Sequence, residues 1–294
     1  MKILVTGGAG FLGRHIVARL RSTGSDVFVP RRSEYDLRTE EGVDRLFASY
    51  TPDIVIHAAA KVGGIEANRL YPAEFFYQNA MMGMLVIDRA YRAGAQKCVV
   101  IGSVCSYPLR CHVPTSESSL WEGYPELTNG PYGMAKKMLL VQGRAYRQQY
   151  GFPVVHLLMA NLYGPHDNFD PAESHVIPAL IRKVATAKLE QRPEIIVWGT
   201  GTPTRSFLYV EDAAEAVCLA CTLYDGEEPV NISSSEEISI AGLARKVCAA
   251  VGYNGTLIFD ISKPDGQPRR CFDTKWAKNL FGFTAKTSFD EGLA

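Results

Sequence analysis

The sequence predicts an α/β chain, a doubly wound parallel sheet carrying a smaller α/β lobe. Two observations lead there. Short apolar runs with strand character alternate with longer helical patterns through the first half of the chain, and a glycine-rich turn joins the first such pair. Alternation of this kind implies parallel strands whose helical crossovers cover both faces of the sheet.

The first strand is Met1-Lys2-Ile3-Leu4-Val5-Thr6, followed by Gly7-Gly8-Ala9-Gly10-Phe11-Leu12-Gly13 and a helix with Ile16, Val17 and Leu20 on one face. Glycines at 7 and 10 let the backbone turn tightly and approach a pyrophosphate, while Gly13 lets helix pack closely on strand. The N–H groups and dipole of the helix start favour the anion. A generic tight turn is the bland alternative, but its place in the first strand–helix unit points to a dinucleotide. After the second strand, Asp26-Val27-Phe28-Val29, the chain reads Pro30-Arg31-Arg32-Ser33, where an NAD site would place an acidic residue against the ribose 2′-hydroxyl. Two arginines suit a 2′-phosphate instead, so Arg31 and Arg32 predict NADP(H).

The third strand is Ile54–His57, a helix is expected around Met84–Tyr91, and the apolar run Cys98–Ile101 ends at Gly102-Ser103-Val104-Cys105-Ser106-Tyr107-Pro108. Chemistry in α/β sheets gathers at such strand ends. Tyr132-Gly133-Met134-Ala135-Lys136 then opens a helical pattern running to about Tyr150, which puts the phenol and the ammonium one turn apart on one face. A nearby ammonium is expected to lower the tyrosine pKa, as a general acid/base near neutral pH requires. By itself a Tyr-x-x-x-Lys pair reads as a surface lysine beside a half-buried tyrosine; its distance downstream of Ser103 gives it weight. Val154–Leu158 is the next strand. Residues 1–163 plus 207–225 are assigned to the dinucleotide-binding domain, and 164–206 plus 226–294 to the smaller lobe.

Composition adds exclusions. With 294 residues, 47% of them hydrophobic, and 31 basic against 31 acidic residues, the chain can bury a large core and shows no bias toward nucleic acid or a membrane surface. No run is long and apolar enough to span a bilayer, and Met1 leads directly into the first strand, so a cytoplasmic protein is expected. Seven cysteines without zinc-like spacing fit a reducing compartment and no metal site. Cys218 and Cys221 fall in an apolar helical pattern and read as packing.

The glycine turn, the Ser/Tyr/Lys set and the length resemble the extended short-chain dehydrogenase/reductase superfamily. Five further blocks, Ala58–Ile65, Asn161–Phe169, Ser174–Leu180, Val197–Pro203 and Lys263–Gly266, closely resemble the GDP-L-fucose synthase family. The resemblance implies NADPH-dependent epimerisation at C3 and C5 of GDP-4-keto-6-deoxy-D-mannose, followed by reduction of its C4 ketone. It assigns Cys105 as the base and His175 as the acid of epimerisation. Ser103 and Tyr132 would hydrogen-bond the C4 oxygen, and Lys136 would tune Tyr132 and hold the nicotinamide ribose. It adds Ala58, Lys61, Asn161, Leu162 and His175 to the cofactor site, and Lys183, Trp198, Arg205 and Asp265 to a sugar-nucleotide site. It also implies a homodimer paired through helices that include the Tyr132 helix.

Some positions depart from the family pattern. Lys183 replaces an arginine, Ser206 stands where an acid is common, and Ala9 where some members carry arginine; Tyr224–Pro229 is short and the chain stops at Glu291-Gly292-Leu293-Ala294. These departures leave open an epimerase or reductase for another nucleotide-linked 4-keto sugar, a 6-deoxyhexose or a heptose. A non-catalytic NADPH sensor is the reading from a different class, and the intact Ser103, Tyr132 and Lys136 argue against it.

Overall fold

The computed structural model describes every residue except Ala172 and Pro264. The chain opens with β1 (Lys2–Thr6), α1 (Phe11–Ser22), β2 (Asp26–Phe28), α2 (Glu40–Ser49) and β3 (Ile54–His57). It continues through α3 (Ile65–Leu70), α4 (Pro72–Arg92), β4 (Lys97–Ser103), α5 (Gly130–Tyr150) and β5 (Val154–Met159). The helix expected at Met84–Tyr91 is thus the second half of a longer one, with Pro72 at its start where a missing N–H costs nothing. Helix α2 is capped by Thr39, whose hydroxyl accepts from Gly42 N at 3.1 Å, and α5 ends on Gly151 at φ 67°.

The second half contains β6 (Asn161–Tyr163), α6 (Val176–Leu189), β7 (Glu194–Trp198), β8 (Thr204–Tyr209), α7 (Val210–Leu223) and β9 (Val230–Ile232). After these come β10 (Glu237–Ser239), α8 (Ile240–Val251), β11 (Thr256–Asp260), β12 (Arg269–Arg270), α9 (Lys275–Phe281) and α10 (Phe289–Leu293).

Six strands form one parallel sheet in the order β2-β1-β3-β4-β5-β9. Strands β3 and β5 are buried along their whole length, which explains their unbroken apolar character: helices cover both faces. On one face Ile3, Val5, Val99 and Leu157 pack with Ile16 and Val17 of α1 and Ala213 and Val217 of α7. On the other, Leu4, Val55 and Val100 pack with Leu46 of α2, Ile87 of α4 and Leu139 of α5. Winding changes direction between β1 and β3, so a crevice opens at their carboxyl ends, where ligands of this Rossmann-type architecture bind.

A second core joins Ile177, Leu180, Val184, Val197, Phe207, Leu243 and Phe289 around the β10-β8-β12 sheet, to which β6 adds, and the parallel pair β11-β7. Three features differ from the boundaries read off the sequence. Asn161–Tyr163, placed in the dinucleotide-binding domain, pairs with β8 of the second sheet, and Tyr163 and Phe207 pack in the second core. Val230–Ile232, placed in the smaller lobe, pairs with β5 as the edge of the large sheet, and Phe281 and Phe283 pack into the first core. A three-residue strand is too short to announce its partner; only the pairing reveals it. Among the described residues, no helix is long and apolar enough to cross a membrane.

Candidate active site

The glycine turn leaves the carboxyl end of β1 and faces that of β3. Gly7 has φ +70°, and a Cβ there would lie 2.6 Å from Ala59 N. At Gly13 a Cβ would come within 2.0 Å of Gly7 O, so neither position accepts a side chain without displacing backbone. Gly8 packs on Val29 at the end of the second strand, and Gly10 N donates to Gly7 O at 2.9 Å. Helix α1 starts from Gly10 with no side-chain cap and no acidic residue in its first turn. The first-turn N–H groups of Phe11, Leu12 and Gly13 have no intrahelical acceptor and suit a phosphate. This cradle fits a dinucleotide pyrophosphate. Ala9 and Ala58 are half-buried along it, and Arg31 and Arg32 are exposed beyond β2, free to meet a 2′-phosphate. Lys61 is held differently: Asn79 clamps its backbone, accepting from Lys61 N at 3.0 Å and donating to Lys61 O at 2.9 Å, and Glu74 pairs its ammonium.

Strand β4 ends at Ser103, and a short 3-10 turn, Val104–Ser106, places Cys105 beside it. Ser103 Oγ accepts from Cys105 N at 3.1 Å and also hydrogen-bonds the Tyr132 phenol. The turn fits against α5 because Gly133 carries no side chain; a Cβ there would lie 2.3 Å from Cys105 O. Ser103, Cys105 and Tyr132 are thereby brought together. Lys136 is buried one turn later, with Nζ donating to Ile101 O at 3.0 Å, and burial lowers its pKa to about 8. The expectation that Lys136 depresses the Tyr132 pKa does not hold in this geometry. Burial, followed by the Cys105 charge, pushes the phenol well above its ordinary value, and the Ser103 hydrogen bond is what opposes the rise.

His175 is the exposed residue from which α6 starts. Its charge favours ionisation of Asp167, which burial otherwise pushes up. Asn161 and Leu162 are half-buried on β6. Farther out, Lys183 Nζ donates to Ile196 O at 2.8 Å, and Trp198 is exposed, with Lys263 Nζ 5.5 Å from its ring centre. Asp265 accepts from Thr200 N at 2.6 Å and Thr200 Oγ1 at 2.8 Å, while Pro264 of the same block lies outside the described residues. Arg205 is half-buried next to Arg270, its register partner on β12; burial and then that neighbour lower its pKa to about 10.

Cys105 opens onto a cleft also lined by Tyr107, Glu126, Asn129, Gln267 and Arg270. None of these last five was singled out from sequence. Arg270 donates to Val104 O at 3.1 Å, bringing positive charge to the residue before Cys105. Its position four residues after Gly266 was the available signal, but the contact spans 166 residues of chain.

Residues 3–233 match the NAD dependent epimerase/dehydratase family. The chain belongs to that family. It is 43% identical to the GDP-L-fucose synthase of Sinorhizobium fredii (strain NBRC 101917 / NGR234), over 100% of this chain and 93% of the relative. Among solved structures, a GDP-L-fucose synthetase from Naegleria fowleri bound to NADP superposes with a TM-score of 0.91 at 30% identity, covering 99% of this chain and 91% of that one. A GDP-6-OMe-4-keto-L-xylo-heptose reductase from C. jejuni superposes with a TM-score of 0.94 at 28% identity, covering 99% and 95%.

Proposed function

We propose that this protein is an NADPH-dependent enzyme that epimerises GDP-4-keto-6-deoxy-D-mannose at C3 and C5 and reduces its C4 ketone, giving GDP-L-fucose. The observation that carries the reading is Ser103, Cys105 and Tyr132 converging at the end of β4, beside a glycine cradle shaped for a dinucleotide. Full-length similarity to a GDP-L-fucose synthase supports the substrate, and the NADP-bound relative together with Arg31 and Arg32 supports the cofactor.

A C4 carbonyl acidifies the hydrogens on both neighbouring carbons. Inverting those centres requires a base on one face and an acid on the other; Cys105 and His175 take these roles. Ser103 and Tyr132 donate hydrogen bonds to the C4 oxygen, stabilising negative charge during enolisation and again during reduction. Bound along the glycine cradle, NADPH would supply the hydride for the C4 carbon. A Tyr132 phenol whose pKa is raised is protonated at neutral pH and ready to deliver its proton to the alkoxide. Lys136 holds the nicotinamide ribose, and the Arg205/Arg270 pair faces the diphosphate. Residues 1–160 and 210–225, with Val230–Ile232 and the α9 segment ending in Phe283, form the cofactor domain. Exposed Tyr77 on α4 and Val141 on α5 suit a homodimer paired through those helices, working in the cytoplasm.

Replacing Cys105 by serine tests the division of labour. Solvent deuterium uptake at C3 and C5 should fall about a hundredfold or more, while reduction of an already epimerised ketone changes little. Equal losses in both would remove Cys105 from the epimerisation step.

A further inference from the structure

Two histidines behind the Tyr132/Lys136 pair have no part in this mechanism. His57 on β3 and His156 on β5 both stand in register with Val100 of β4, so their rings flank that one residue. Both are fully buried, at 0% and 1% exposure. Two residues on, Gly102 leaves room for the second ring: a Cβ there would fall 2.5 Å from His156 Nε2. The ammonium of Lys136 is bonded to the carbonyl of Ile101, immediately before Gly102, so lysine and imidazoles converge on one stretch of β4. Burial, with the Lys136 charge second, holds both rings neutral, lowering each pKa to about 3.

The hydrogen bonds of this cluster are incomplete. His57 Nδ1 lies 2.9 Å from Thr6 Oγ1, which also accepts from Ala59 N at 3.4 Å; with Thr6 assigned as the donor to Nδ1, the His57 proton sits on Nε2. Among the described residues, His57 Nε2 and both ring nitrogens of His156 are buried without a partner. Lys136 has used one of its three donors. Buried polar groups in strands that otherwise read Ile54-Val55-Ile56 and Val154-Val155 cost stability unless something satisfies them.

Resting on the function proposed above, we infer that His57 and His156 are positioning residues for Lys136, which hold its ammonium charged through one buried water. The water accepts from His57 Nε2–H and from Lys136 Nζ–H, and donates to the bare nitrogen of His156. Three polar partners are what a buried water ordinarily requires. Neutral groups that accept from an ammonium favour its charged form, opposing the burial that depletes it. Titratable groups around Lys136 are His57 from β3, His156 from β5, and Tyr132 one turn earlier on α5, with Cys105 acting on Tyr132 and Arg144 of α5 acting on His156. Of these, His156 supplies the neutral nitrogen that accepts, through the water, on the side of Lys136 away from Tyr132, and the His57 N–H fixes that water in place.

The test is the Lys136 titration, followed by NMR of protein labelled with 13C at lysine Cε and assigned with Lys136→Met. In the double variant His57→Leu/His156→Val the midpoint should move down by at least about one pH unit, a tenfold loss of proton affinity, whereas His156→Gln, which keeps a donor and an acceptor, should stay near the wild-type value. An unchanged midpoint in the double variant would overturn the inference. Should that variant not fold, His156→Val alone decides by the same shift. Because this readout needs no substrate, it separates from the functional reading, which fails instead if wild-type protein leaves the GDP-4-keto sugar unchanged.

Discussion

The cofactor cradle and the sugar-nucleotide side are built on opposite plans. The cradle is backbone: Gly7 and Gly13 exclude side chains within 2.6 and 2.0 Å, and the start of α1 offers N–H groups suited to a phosphate. The proposed sugar-nucleotide side is made of side chains carried by separate segments: Lys183 on α6, Trp198 on β7, Arg205 on β8 and Arg270 on β12. A backbone site of this kind tolerates almost no substitution, because an added Cβ meets backbone. A side-chain site can be retuned one residue at a time, which is where sugar specificity within one fold can vary.

The hardest way to break this contrast is at the chemistry shared by both sides. Tyr132→Phe should lower reduction by about a thousandfold, within the range for a lost general acid, while NADPH titration shows binding intact. A modest loss would make another group the proton donor. Gly13→Ala comes next: a Cβ forced on Gly7 O should cost about 1 to 3 kcal/mol of overpacking strain and weaken NADPH binding at least tenfold, measured by fluorescence. Unchanged affinity would show that the cradle yields more than its contacts imply.

Replacing Arg31 and Arg32 by serine sharpens the cofactor half. NADPH affinity should fall about tenfold with NADH unaffected, since the lost charges meet only the 2′-phosphate. If the wild type already uses both cofactors equally, those arginines are merely a solvated loop. The smallest effect belongs to Glu237, on the strand beside Arg205. Arg269 donates to its carboxylate from Nε at 2.8 Å, and that hydrogen bond lowers the Glu237 pKa to about 2. Because the folded pKa lies below the unfolded one, this stabilisation is present above about pH 4.5 and is lost as pH falls through 2. Solvent screening keeps it at about 1 kcal/mol or less. Glu237→Gln should therefore lower the unfolding midpoint slightly at pH 7 and not at all near pH 2.

The same contrast governs what was legible in the sequence. Gly7–Gly13, the strand end at Ser103 and the Tyr132 helix are contiguous signals whose spacing carries their geometry, and they stand where that spacing put them. The contact from Arg270 to Val104 O joins segments 166 residues apart, and no local pattern announces it. The three residues of β9 reveal their partner only by pairing, and the raised Tyr132 pKa depends on burial, which a Tyr-x-x-x-Lys spacing does not record. His57 and His156 looked like ordinary strand residues because their meeting across Val100 is a matter of register.

The most direct test of the central claim is to incubate the wild-type protein with GDP-4-keto-6-deoxy-D-mannose and NADPH in deuterated water, following NADPH consumption and identifying the product by NMR. The account predicts GDP-L-fucose carrying deuterium at both C3 and C5. Reduction without deuterium at those carbons, or no consumption of NADPH, would contradict it.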